Sequence, residues 1–131
     1  MLRNIKYYWK SILWILLILY LSAGKFVFMS TVPPQIEADK VGHFVMYFIL
    51  SAIFFNDYTR QKKDRKLLTL FIGTFIFPLL FGGLMELLQH FFIPYRTGSW
   101  MDMLANLTGI ITAFLLSYFF FHRKNNSSAL K

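Results

Sequence analysis

Four apolar runs, at about residues 9–28, 40–58, 67–92 and 100–121, govern what this chain can become. Each approaches the roughly 20 residues that a helix needs to cross a hydrocarbon layer. A water-facing domain of 131 residues has too little interior to hide them. Mean hydropathy is +0.50 and 56% of the residues are hydrophobic, so a lipid bilayer is the solvent that fits. The expectation is an all-α, four-helix transmembrane bundle forming a single domain over residues 1–131.

The basic residues orient that bundle. Arg3, Lys6 and Lys10 precede the first run, and Arg60, Lys62, Lys63, Arg65 and Lys66 fill the second loop. Arg123, Lys124 and Lys131 follow the fourth run. Only Lys25, Lys40 and Arg96 fall on the opposite side. Lys and Arg are retained on the cytoplasmic side during insertion. Both termini are therefore expected in the cytoplasm of a multi-pass protein of the cytoplasmic membrane. A net charge of +8 also suggests a nucleic-acid partner, but such a binder needs a basic face on a water-soluble module. Here the charges bracket apolar spans at alternate ends, so no nucleic acid is expected. The chain has no cysteine, which excludes disulfides and thiolate chemistry.

Three local features modify this outline. The basic start followed by an apolar run and "LSAG" resembles a secretory signal peptide, but apolar residues resume at Phe26–Met29, which favours an uncleaved helix. Pro78 in the third run removes a backbone donor and crowds the Thr74 carbonyl, so a kink is expected there. The nearby Gly82–Gly83 pair permits close helix approach. The polar tail "HRKNNSSALK" is expected to fray.

Polar residues gather where the second, third and fourth helices meet one side of the membrane. Asp39, His43 and Tyr47 follow one another at four-residue spacing, which keeps them on one helix face. Glu86 and His90 repeat that spacing, with Gln89 beside them, and Asp102 and Asn106 repeat it again. Arg96 lies in the turn between the last two helices. Several of these residues have structural explanations. Ser99 and Asp102 resemble a capping box, Tyr47 suits an aromatic belt, and Gln89 and Asn106 can join helices by hydrogen bonds. Glu86 resists such an explanation, because an acid inside an apolar span needs a partner or a raised pKa. His43 and Arg96 are its candidate partners.

This set allows several chemistries. Carboxylates with histidine can act as general acid and base. They are also competent metal ligands, but there is no H-E-x-x-H and no clustered acidic loop, so neither a metal nor another cofactor is expected. Lys40 and Arg96 suit a phosphate or carboxylate at headgroup level.

"DKVGHFVMYFIL", "ELLQHFFIPYR" and "DMLANLTG", in that order, resemble the VanZ-like family of small membrane proteins. The family pattern is D-K-x-x-H-F-x-x-Y, then E-x-x-Q with a downstream arginine, then D-x-x-x-N-x-x-G. It falls on Asp39, Lys40, His43, Phe44 and Tyr47, on Glu86, Gln89 and Arg96, and on Asp102, Asn106 and Gly109. Where many relatives have a further glycine, this chain has the small Ala113. The family's namesake is associated with resistance to the glycopeptide antibiotic teicoplanin, so the resemblance implies a membrane protein of the cell envelope without implying a reaction. The leading expectation is an accessory or binding role, with an outward-facing polar pocket for an anionic lipid-linked ligand or a glycopeptide. The alternative is a membrane enzyme acting on a lipid-linked or phosphorylated envelope substrate. A purely structural lock between helices is the third reading.

Overall fold

The computed structural model describes residues 2–23, 36–61, 66–92 and 99–129, with side chains over 7–22, 40–60, 66–92 and 99–123. The described residues are all helical apart from Lys66 and Ser99, and form four helices without strands. They are α1 (Leu2–Ala23), α2 (Ile36–Gln61), α3 (Leu67–Phe92) and α4 (Trp100–Ala129). Within them Lys40–Arg60, Leu67–Phe92 and Trp100–Arg123 are long and apolar enough to span a membrane. The apolar part of α1 described here, Tyr7–Ser22, is shorter. The helix end expected at residue 28, the Pro-Pro loop and the turn that carries Arg96 lie outside the described residues.

α1 begins before its apolar segment, α2 extends past its segment at both ends and α4 at its end, because backbone hydrogen bonding does not stop where hydrocarbon does, whereas α3 has the bounds of its segment. The tail that was expected to fray is helical as far as Ala129. Polarity is arranged inside out. Leu80, Leu115, Phe119 and Phe120 are exposed around the outside, whereas Ser11, His43, Ser51, Asp57, Thr74, Glu86, Gln89, Asp102 and Asn106 are buried. Lipid accommodates the first set, and the second finds its partners between helices.

Helix α2 lies against both α1 and α4, and most extensively against α4. Gly109 makes that contact possible. A methyl group on it would collide with the Phe44 carbonyl oxygen of α2 and come within 3.2 Å of the Phe48 nitrogen. Backbone thus meets backbone, the close approach that small residues allow in lipid. Ala113, one turn further on, is also buried. Below this contact Ile18, Tyr47, Leu50 and Ile110 form the core, with Trp14, Phe75 and Phe81 packed against it. Trp14 Nε1 donates to the Met46 carbonyl at 2.9 Å and ties α1 to α2.

The distortion expected at Pro78 takes the form of a π-helical turn over Ile72–Ile76. Its closing bond runs from the Phe77 N–H to the Ile72 carbonyl, five residues back. Proline at 78 leaves the Thr74 carbonyl without its helical donor. Ser51 of α2 supplies one, its Oγ donating to that carbonyl at 2.7 Å in a fully buried setting.

Two substitutions test these joints. Gly109→Ala should destabilise the bundle by about 1–3 kcal/mol or more through overpacking, whereas Gly83→Ala, whose added methyl meets only Met103 Cε at 3.9 Å, should change little. Thermal melting in detergent compares them, and equal melting points would remove the special role of Gly109. Ser51→Ala should cost about 1–2 kcal/mol by stranding a buried carbonyl, and an unchanged melting point would show that the Thr74 carbonyl finds another donor.

Candidate functional site

One end of the bundle gathers the starts of α2 and α4 with the end of α3. His43 leaves α2 one turn after Lys40, Glu86 and Gln89 leave α3 in its last two turns, and Asp102 and Asn106 leave the first two turns of α4. His43, Glu86, Gln89, Asp102 and Asn106 are all buried. On α2 and α4 the four-residue repeats each form a polar stripe, and the contact at Gly109 brings the two together, whereas on α3 the buried polar pair is Glu86 and Gln89.

The Asn106 Oδ1 accepts from the Nδ1–H tautomer of His43 at 3.1 Å. The same ring nitrogen stands 3.6 Å from Glu86 Oε1. That distance permits an electrostatic contact but is too long for a direct hydrogen bond. Instead, Glu86 Oε2 accepts the backbone N–H of Ser99 at 3.3 Å. Ser99 caps α4, its Oγ accepting from the Met101 N–H at 3.2 Å. In a capping box the residue expected to reach back to the Ser99 N–H is Asp102. Glu86, an acid from the neighbouring helix, accepts that N–H and so secures the α3–α4 junction, and the buried Asp102 lies with it in the polar cluster. One ligand-type atom from each of His43, Glu86 and Asp102 lies within 4.8 Å of the other two.

The remaining sequence candidates take different places. Tyr47 is buried rather than belt-like, and a side chain at Gly82 would crowd its ring at 3.1 Å and the Asn106 Nδ2 at 3.2 Å. Gly82 is therefore the notch that admits both. Gly109 is a packing contact and not a ligand group. Lys40 is partly exposed at the start of α2. His90 faces outward with its ring against Phe91. The side chain of Asp39, and Arg96 altogether, lie outside the described residues.

Beside the cluster, between α3 and α4, runs a cavity of about 740 Å³. Leu79, Leu84, Leu87 and Met103 make it apolar, and Glu86, His90 and Ser99 give it a polar edge. Leu84, Leu87 and Trp100 are also among the exposed apolar residues, so its walls continue into the exposed apolar surface of the bundle.

A second polar site was missed by reading the sequence. Asp57, at the end of the second apolar run, lies within α2 and is buried. Ser11 of α1 donates to its Oδ2 at 2.7 Å. The acids are thus not confined to one end of the bundle. The available signal was weak, since Ser11 and Asp57 are ordinary residues at the edge of apolar runs.

A family model described as VanZ/LLP1 matches residues 2–121. The chain belongs to the VanZ/LLP1 family. An uncharacterized protein of Schizosaccharomyces pombe is 30% identical to this VanZ/LLP1 chain over 115 residues, which cover 88% of this chain and 67% of the yeast protein. No solved structure matches. The ordered motifs that resembled the family thus sit in a match spanning α1 to the apolar part of α4.

Glu86→Ala should destabilise this VanZ/LLP1 chain by about 1–2 kcal/mol through loss of the Ser99 contact. Glu86→Gln should cost less, because an amide carbonyl still accepts that N–H. Melting of the two variants in detergent settles the order, and a Gln variant as unstable as the Ala variant would mean that the charge, not the acceptor, holds the junction.

Proposed function

We propose that the protein binds an anionic amphiphile at the membrane–water boundary, the tail in the α3–α4 cavity and the polar end beside Glu86 and Ser99. The carrying observation is the junction of two unlike surfaces, an apolar cavity opening toward lipid and a buried polar cluster at its edge. Its volume falls in the range of about 300–1,000 Å³ common for small-ligand sites. A soluble ligand would gain little from leucine walls facing lipid, whereas a chain already in the bilayer enters sideways without crossing water. Lys40 and Arg96 are the residues assigned to the anion, because Arg forms paired hydrogen bonds with phosphate or carboxylate. Asp39, Gln89 and Asn106 complete the polar surroundings.

The basic bias of the loops supports placing the termini in the cytoplasm and this site on the outer face of the cytoplasmic membrane. On that reading the role is accessory, the retention or presentation of a lipid-linked envelope component. Tolerance to a lipophilic glycopeptide such as teicoplanin fits the same cavity, since such a drug also joins an apolar tail to a polar head. A catalytic reading draws on one specific observation, the convergence of His43 with two carboxylates, which suits acid–base work on a phosphorylated or lipid-linked substrate.

Lipid retention tests the binding proposal. The full chain in phosphatidylcholine nanodiscs should retain a polyprenyl phosphate or a lysophosphatidic acid in native mass spectra in preference to the corresponding neutral alcohol. Leu84→Trp and Leu87→Trp, which fill the cavity, should reduce retention roughly tenfold, equivalent to about 1.4 kcal/mol. Leu19→Trp on the exposed face of α1 should not. Equal retention of charged and neutral lipids, unaffected by filling the cavity, would overturn the proposal.

A further inference from the structure

We infer that His43, Glu86 and Asp102 form a binding site for one divalent cation of the manganese-to-zinc series. The three side chains come from three different helices, α2, α3 and α4, and all are buried. One ligand atom from each lies within 4.8 Å of the others. Ligands joined to one ion by bonds of ~2.1 Å stand about 3.0–3.4 Å apart when adjacent and about 4.2 Å apart when opposite. The triad therefore closes onto an ion by side-chain movements of about half an ångström to an ångström, without any helix having to move.

The donor set selects the ion. An imidazole nitrogen with two carboxylates suits borderline first-row divalent cations. Calcium and magnesium favour oxygen alone, and copper(I) favours sulfur, which the cluster lacks. Charge matches as well. Two carboxylates converge here between helices, and a divalent ion supplies two positive charges at that point.

A second feature points to the same place. Among the described residues, Gln89 Nε2 and Asn106 Nδ2 have no hydrogen-bond partner, although the two side chains are only 2% and 1% exposed. Asn106 touches His43 directly at 3.1 Å, and Gln89 follows Glu86 by three residues on the same helix. Buried amide donors need an oxygen acceptor. A three-ligand ion leaves coordination positions for water or for an oxyanion, which would bring oxygen acceptors into this buried end of the bundle.

The site deepens the proposed function and rests on its view of this end of the bundle as a ligand site. The ion would receive a phosphate or carboxylate oxygen of the amphiphile whose tail lies in the cavity. It would also tie α2, α3 and α4 together at that end. Sequence spacing gave no warning, because ligands at 43, 86 and 102 form no local motif.

The test uses metal alone. The full chain in phosphatidylcholine nanodiscs is stripped with a chelator, loaded with Mn²⁺ or Zn²⁺, and freed of excess ion by gel filtration. Elemental analysis should find one ion per chain. Asp102→Asn and Glu86→Gln should each weaken binding roughly tenfold or more, and Asp57→Asn at the far end should leave it unchanged. Spin-echo spectra of the Mn²⁺-loaded protein should show coupling to one imidazole nitrogen, absent in His43→Gln.

Failure of wild-type protein to hold an ion overturns the inference, as does an ion with no nitrogen coupling or one held equally by Asp102→Asn. The wild-type spectrum decides even if a variant does not fold. Selective retention of an anionic lipid by protein that binds no ion would leave the lipid proposal standing and sink this one. An ion bound without lipid selectivity would do the reverse.

Discussion

The close passage of α2 over Gly109 is the constraint on which the rest of this structure depends. A single missing Cβ lets the two backbones touch at Phe44. His43 is the residue before that contact, and Asn106 lies less than one helical turn before Gly109. Their 3.1 Å hydrogen bond follows from the same approach. Tyr47, one turn further along α2, then fits into the notch at Gly82 and brings α3 into the same layer. Small residues at two helix crossings thus set the distances among polar groups that themselves lie elsewhere along the helices.

Those polar groups in turn complete the packing. In lipid, a backbone group without a partner is costly, because no water reaches it. Pro78 creates such a group at the Thr74 carbonyl, and the neighbouring helix answers with Ser51. The start of α4 creates another at the Ser99 N–H, answered by Glu86. Both repairs cross between helices, so each local irregularity becomes a tertiary link. Glu86 has two duties on this account. One oxygen holds the α3–α4 junction, and the other faces His43 within the cluster beside the cavity. That double use explains how an acid can persist inside an otherwise apolar helix.

Much of this arrangement was legible in the chain. The apolar runs marked the helices, and the repeats at 43–47 and 102–106 marked the polar faces of two of them, while on α3 the repeat pairs buried Glu86 with exposed His90. Motif order also pointed to the family before any geometry was known. Other features were not legible. Asp57 carried no signal in the chain, because a lone acid at the end of an apolar run does not show which helix will cover it. Spacing along the chain also gave no sign that Glu86 of the neighbouring helix would meet the Ser99 N–H at the start of α4. His43 and Glu86 were natural partners by charge, yet Asn106 makes the shorter contact with the imidazole.

The division has a physical basis. Hydropathy and a 3.6-residue period are properties of neighbours along the chain, so the sequence by itself determined that the protein would be helical, that its helices would suit lipid, and which faces would be polar. The separation of atoms on different helices depends on how each helix is rotated and how closely its backbone can approach the next. Only the tertiary structure decided that one imidazole and two carboxylates would converge, that Ser51 would satisfy the carbonyl released by Pro78, and that an apolar cavity would open beside Glu86. Gly109 shows why, since a glycine in a helix says that something comes close without saying what.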